Sequence, residues 1–238
     1  MKRFGLVGHP LGHSFSKAYF NEKFKRAGLD CEYQNYDIED ITKIKQLVRE
    51  QPDLSGFNVT IPYKESIIPF LDSLDNEAQD IQAVNTVKVL PNGKLKGFNT
   101  DIIGIEKSLV NPSGSALILG TGGASKAVQY VLRKKNILYH LVSRDPLKGD
   151  FTYPELTTEM VQSHLLIINA THVGMAPTID AAPILPYDAL TPQHTLFDLI
   201  YNPEETLFLK RGKEKKATTI NGLTMLYAQA EASWAIFF

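Results

Sequence analysis

The chain has 238 residues, 43% of them hydrophobic, and its 25 basic and 26 acidic side chains leave a formal net charge of -1. That length holds one large or two small domains with real cores, and the balanced charge excludes the basic excess of a nucleic-acid-binding surface. A single cysteine, Cys31, excludes an internal disulfide and any cysteine-built zinc site.

No stretch approaches the ~20 apolar residues of a membrane helix. The apolar N-terminal run stops at His9-Pro10, too early for a secretory leader. A soluble, cytoplasmic protein is the expectation. Phe4–Gly8 reads as a strand, stopped by Pro10 and Gly12. Ser14 or Ser16 caps a helix whose Phe20, Phe24 and Ala27 share one face, and Gly28 ends it. Tyr33–Ile38 is a second strand. Asp40 caps a helix carrying Ile41, Ile44, Leu47 and Val48, and Gly56–Ile61 is a third strand. Two short helices are predicted over 64–71 and 76–83. A hairpin over 84–90 and 94–98 turns at Pro91-Asn92-Gly93.

The alternation then restarts. A helix over 101–109 is followed by the break Asn111-Pro112-Ser113-Gly114. Strands are predicted over 116–119, 138–142, 165–169, 195–199 and 218–220, with helices over 125–134, 204–211 and 223–238. Strands alternating with helices imply an α/β protein with parallel sheets and right-handed crossovers.

Strand Ala116–Leu119 runs into Gly120-Thr121-Gly122-Gly123-Ala124 and then a helix. Small residues there let a backbone approach a pyrophosphate, and the N–H groups of the new helix face its charge. The context of strand, turn and helix predicts a dinucleotide site, although glycines also serve ordinary turns. NAD sites place an acidic residue at the end of the next strand. Here Ser143-Arg144-Asp145 stands there, with Lys148 beyond. Arg144 and Lys148 can clamp a 2′-phosphate, which favours NADP, while Asp145 would repel it and leaves NAD as the rival.

The first half carries a second polar set: Ser14 and Ser16, Asn58, Thr60 and Lys64, Asn85, and Asn99-Thr100-Asp101. Each has a structural explanation, since serines cap helices, Lys64 suits a surface and Asp101 suits the start of a helix. Together they supply hydroxyls, amides, one cation and one anion at strand ends, where open α/β sheets bind ligands. That chemistry suits a small polyol.

In order along the whole chain, Ser14-x-Ser16, Asn58-Val-Thr-x-Pro-x-Lys64, Ala83-Val-Asn-Thr86, Gly97-x-Asn-Thr-Asp101, Gly120-x-Gly-Gly-Ala124, Asn169-Ala-Thr171 with Val173-Gly-Met175, Asp198-x-x-Tyr-Asn-Pro203 and Asn221-Gly-Leu-x-Met-Leu-x-x-Gln229 resemble the successive motifs of the shikimate dehydrogenase family. The resemblance implies a substrate-binding domain from residues 1–101 and 221–238, with a mixed, mainly parallel sheet. Into it a Rossmann-like NADP domain, 102–220, is inserted, and the C-terminal helix returns to the first. It implies reversible NADPH-dependent reduction of 3-dehydroshikimate to shikimate, on the route to chorismate and the aromatic amino acids. Lys64 and Asp101 would be the catalytic pair. Ser14, Ser16, Asn58, Thr60, Asn85, Tyr201 and Gln229 would hold the substrate. Gly120, Thr121, Gly122, Gly123, Ala124, Ser143, Arg144, Lys148, Thr171 and Gly222 would hold the cofactor.

Several positions depart from the family's pattern. The segment between Arg144 and Asn169 is short, which predicts a cut-down second crossover. Ser143 and Asp145 replace the usual Asn and Thr of the phosphate clamp. His172 stands where Pro or Ser is common, Ile102 replaces a Gly after Asp101, and Thr224 replaces a small residue. No metal is expected. His9 and His13 cannot align on a helix across Pro10 and Gly12, and His140, His164 and His194 are expected to be isolated. The partners expected are small molecules, without nucleic acid or membrane, acting on a monomer or homodimer. A dehydrogenase of the same fold acting on quinate or using NAD, and a non-catalytic ligand sensor, are the rival readings.

Overall fold

The structure is a computed structural model that describes residues 1–12, 14–110, 112 and 114–238. His13, Asn111 and Ser113 lie outside the described residues, and with them part of the His9/His13 comparison and of the expected 111–114 break. The chain divides into two compact units. One comprises Met1–Thr100 with Ala230–Phe238, the other Asp101–Gln229.

In the first unit the strands are β1 (Lys2–Gly8), β2 (Cys31–Asp37), β3 (Leu54–Val59), β4 (Ser73–Leu74), β5 (Thr86–Val89) and β6 (Leu95–Phe98), in the sheet order β2-β1-β3-β5-β6-β4. β1 pairs in parallel with β2 and β3, whereas β3/β5 and β5/β6 are antiparallel. Successive side chains of β1 point to opposite faces. Phe4 and Leu6 therefore join α1 (Phe15–Arg26), and Val7 joins the layer of α2 (Ile44–Glu50). Ser14 caps α1 by accepting from the Lys17 N–H at 3.3 Å, and Gly28, at φ +64°, carries the chain out of it. Gly93, at φ +77°, makes the hairpin turn.

The expected helix over 64–71 is only a single 3₁₀ turn at Ile68–Phe70. Pro69 has no N–H to donate and its ring crowds the carbonyl four residues back, so an α-helix cannot run through the middle of the segment. The second expected helix is α3 (Asn76–Ile81), with Asp75 accepting from the Ala78 N–H at 2.7 Å.

The second unit begins with α4 (Asp101–Ser108). It contains β7 (Ala116–Leu119), α5 (Gly123–Lys134), β8 (Tyr139–Ser143), β9 (Phe151–Thr152), α6 (Thr158–Ser163), β10 (Leu166–Asn169), β11 (Thr195–Asp198), α7 (Leu207–Glu214) and β12 (Thr218–Ile220). α8 (Leu223–Phe237) opens in this unit and finishes in the first. The sheet order is β12-β11-β10-β7-β8-β9, with every pairing parallel. Strand order reverses between β7 and β10, which is the switch point where doubly wound sheets bind nucleotides. The crossover from β8 to β9 lacks a helix, and β9 has shrunk to two residues. α7 starts later than the expected 204–211, because Thr206 is its cap and accepts from the Leu209 N–H at 3.4 Å.

The aromatic C-terminus packs inside the first unit. Phe237 lies 4.8 Å from Phe4, Trp234 lies 5.5 Å from Phe24, and Phe237 is 5% exposed. These rings are covered by their own chain. Among the described residues, no helix is long and apolar enough to cross a membrane. Among them, too, no group of three or more His, Cys, Asp or Glu side chains is arranged to hold a metal ion. His140 and His164, expected to be isolated, instead meet with Nδ1 and Nε2 2.9 Å apart, because β8 and the end of α6 bring them together.

Candidate active site

The first unit gathers several of the predicted substrate residues into one buried polar network. Tyr33 donates its hydroxyl to Asn58 Oδ1 at 2.8 Å, and the Ser16 side chain hydrogen-bonds to Tyr33. Burial pushes the Tyr33 phenol well above its usual range, with the Ser16 bond opposing. Asn58 Nδ2 then donates to Ser233 Oγ at 2.9 Å, to Thr86 Oγ1 at 3.0 Å and to the Asn85 carbonyl at 3.2 Å. Asn85 Oδ1 accepts from the Thr100 N–H at 2.7 Å, and Asn85 Nδ2 donates to Thr100 Oγ1 at 2.9 Å. The turn preceding Asp101 is therefore tied down at Thr100, and also at Asn99, which donates to the Ala83 carbonyl at 2.9 Å.

Lys64 is half-buried just beyond β3, and its backbone carbonyl accepts from the Val84 N–H at 2.7 Å. Thr60 is half-buried, one residue past β3, and its N–H donates to the Val7 carbonyl. Ser14 serves as the α1 cap and lines an open hollow of about 520 Å³ with Gly12, Lys17, Ala18, Asn21 and Asn35. Among the described residues, Ser14 is the only predicted substrate residue in that hollow. Asp101, in the second unit, is buried in the first turn of α4, where the helix dipole favours a carboxylate.

In the second unit the glycine turn sits at the switch point. Gly120 has φ +101°, and a Cβ there would lie 2.9 Å from Thr171 Cγ2 and 3.2 Å from the Ala170 carbonyl oxygen. Only glycine fits this close approach of the β7 and β10 ends. Gly122, the N-cap of the 12-residue α5, has no side chain with which to cap the helix's first N–H groups. Ala127 is fully buried, so the helix lies close on the sheet. We expect Gly120→Ala to cost about 1–3 kcal/mol, from the backbone conformation and the Thr171 contact together. Thermal denaturation checks the loss, and NADP titration should show weakened binding.

At the end of β8, buried Ser143 accepts from the Asp145 N–H at 3.1 Å, while Arg144 is exposed. Asp145 turns its carboxylate to the Leu147 N–H at 3.0 Å and to Lys148 Nζ at 3.6 Å. The carboxylate thus has partners within its own turn, beside the exposed Arg144.

A second buried hub lies under the switch point. Asn169 Oδ1 accepts from the Thr171 N–H and hydroxyl at 3.1 and 2.6 Å, and Asn169 Nδ2 donates to Asp198 Oδ1 at 3.1 Å. Asp198 also accepts from the Ile200 N–H at 3.0 Å and the Thr206 hydroxyl at 2.6 Å. Burial pushes the Asp198 carboxyl up to about 6, although all three donors favour its charged form. A carboxyl raised in the fold contributes stability below its unfolded value, near ~3.9, and loses it as pH rises through the folded value. Relative to Asp198→Asn, the protein should therefore lose about 3 kcal/mol between pH ~4 and ~6, then level off. Denaturant titrations at each pH measure this.

Beyond β11, Tyr201 is partly exposed, and burial of the rest raises its phenol. At Gly222 a Cβ would lie 2.3 Å from the Leu199 carbonyl oxygen, so glycine lets α8 start against the end of β11. Gln229, on α8, donates to the Leu226 carbonyl at 3.0 Å.

The sequence pattern described as the shikimate dehydrogenase substrate binding domain matches residues 6–87. Shikimate dehydrogenase (NADP(+)) of Methanococcus maripaludis strain C6 is 38% identical over 257 aligned positions, which span 99% of this chain and 91% of the relative. The chain belongs to the shikimate dehydrogenase family. The crystal structure of the family's Peptoclostridium difficile shikimate dehydrogenase 1 superposes with a TM-score of 0.88 at 37% identity, covering 100% of this chain and 91% of that one. The Thermus thermophilus shikimate 5-dehydrogenase, in complex with NADP(H) and shikimate, superposes with a TM-score of 0.89 at 32% identity, covering 100% and 93%.

Against the family's motifs, sequence reading assigned no role to Thr86, Thr100, Ser233, Asp198 or Thr206, yet these residues orient the assigned ones. The signal available was a run of small polar residues in otherwise apolar segments, such as Ser233 between Ala232 and Trp234.

Proposed function

We propose that this family member reduces 3-dehydroshikimate to shikimate, reversibly and with NADPH, in the biosynthesis of chorismate and the aromatic amino acids. On this reading the first unit, with the end of α8, binds substrate and the second binds NADP. The observation that carries most weight is the buried network joining Ser16, Asn58 and Asn85, residues the resemblance assigns to the substrate. Ser14, Thr60, Tyr201 and Gln229 complete the substrate set.

The residues of the second unit fit the cofactor. The turn Gly120–Ala124 and the uncapped start of α5 accept its pyrophosphate, and Thr171 and Gly222 line the approach. Ser143 and Arg144 take the 2′-phosphate, with Lys148 held nearby by Asp145. When bound, NADPH supplies the hydride that reduces the ring ketone carbon.

Lys64 acts on the oxygen of that ketone. Its ammonium stabilises the developing alkoxide charge and gives it a proton, leaving a neutral amine that solvent reprotonates. Asp101, the other member of the proposed catalytic pair, accepts from the neighbouring ring hydroxyl. In the oxidative direction the amine removes the hydroxyl proton. The enzyme acts in the cytoplasm on small molecules, as a monomer or a homodimer, without nucleic-acid or membrane partners.

Initial rates with shikimate or quinate, each with NADP+ or NAD+, test the assignment. The expected result is the highest kcat/KM for shikimate with NADP+. Faster turnover of quinate, or binding of shikimate without any turnover, would overturn it.

A further inference from the structure

We propose that Ser233 is a positioning residue of the substrate site: its hydroxyl, delivered by the last helix, holds the Asn58 amide and the Thr86 hydroxyl in place and through Thr86 supports Asn85. The inference rests on the functional reading above.

Ser233 is fully buried, as is Thr86, and Asn58 and Asn85 are 5% and 3% exposed. Water therefore cannot replace a partner lost here. Tyr33 fixes Asn58 by donating to its amide oxygen, which turns the Asn58 NH₂ toward Ser233 and Thr86. Ser233 Oγ lies 2.9 Å from Asn58 Nδ2, 2.8 Å from Thr86 Oγ1 and 3.2 Å from Thr100 Oγ1. An amide N–H is only a donor, so Ser233 accepts from Asn58. The same oxygen stands within hydrogen-bonding distance of the Thr86 and Thr100 hydroxyls. Thr86 passes its proton to Asn85 Oδ1 at 3.1 Å, where the Thr100 N–H also arrives. One hydroxyl thus joins Asn58 and Thr86 in a chain that ends on a proposed substrate amide.

The rest of α8 near this point docks through other contacts. Phe237 and Trp234 join the aromatic cluster with Phe4, Phe20 and Phe24. Glu231 pairs with Lys23 at the surface. Helix docking therefore has its own apolar basis, and the buried hydroxyl serves the network.

The test compares steady-state kinetics and thermal stability of Ser233→Ala, Thr86→Val, the double variant and Phe237→Leu with the unsubstituted enzyme. Ser233→Ala should raise KM for shikimate about tenfold, with KM for NADP+ within about twofold. Thr86→Val removes the same bond from the other side and should show the same split, which keeps the test alive if Ser233→Ala folds poorly. The double variant should lose no more than the worse single one, because the two share an interaction. Phe237→Leu should lower the melting temperature and leave KM for shikimate unchanged.

Unchanged KM for shikimate in Ser233→Ala or Thr86→Val, additive losses in the pair, or an equal rise in Phe237→Leu would overturn the inference. No turnover of shikimate by the unsubstituted enzyme would instead sink the functional reading, and this inference with it.

Discussion

Lys64→Ala is expected to lower kcat by about 10²–10⁴-fold while KM for shikimate changes much less, because a group that acts on developing charge contributes chiefly in the transition state. The chemistry explains the size. Hydride arriving at a ketone carbon leaves the electron pair on oxygen, and only a cation or proton donor at that oxygen relieves it. Lys64→Arg keeps a positive charge but cannot release its proton, so it should recover a small part of the loss at most. The lysine stands beyond the C-terminal end of β3, and its carbonyl is tied to Val84, next to Asn85. Removing its side chain leaves this backbone bond intact, so a folded, nearly inactive variant is the expected product. Steady-state assays, with circular dichroism to verify folding, check it. A kcat within threefold of the unsubstituted enzyme would remove Lys64 from the mechanism.

Arg144→Ala should raise KM for NADP+ by about 10–100-fold, leaving KM for shikimate and all NAD+ kinetics within about twofold. A guanidinium on a phosphate makes two charge-assisted bonds, each worth roughly 1.5–3 kcal/mol before the loss is shared with solvent. The sequence left a conflict here, since Asp145 adjoins the proposed clamp. The structure turns that carboxylate to the Leu147 N–H and to Lys148. Arg144 follows buried Ser143 directly, at the end of a strand in the parallel sheet, where a 2′-phosphate is read in such folds. Equal loss with NAD+ and NADP+ would mean that Arg144 binds some other part of the cofactor.

What the sequence made legible was local. The cap at Ser14, the exit at Gly28, the hairpin at Gly93 and the turn at Gly120 each depend on a few neighbouring residues, and each is where the sequence predicts it. The helix over 64–71 failed for a local reason too, as the apolar pattern outweighed the effect of Pro69.

The unread part was long-range. Asn58 and Ser233 stand 175 residues apart, and nothing in either neighbourhood announces the other. Asp198 likewise reads as the end of a strand, yet it collects Asn169, Ile200 and Thr206. Motif spacing named the groups thought to touch ligand. The hydroxyls that hold those groups came only with the fold.

The most direct test of the proposed mechanism is a crystal structure with shikimate and NADP+ both bound. The account predicts Lys64 Nζ and an Asp101 carboxylate oxygen within hydrogen-bonding reach, about 2.6–3.2 Å, of the ring hydroxyls at and beside the carbon facing the nicotinamide. Finding the ammonium on the substrate carboxylate, or turned to solvent with the ring hydroxyl held by other groups, would contradict it.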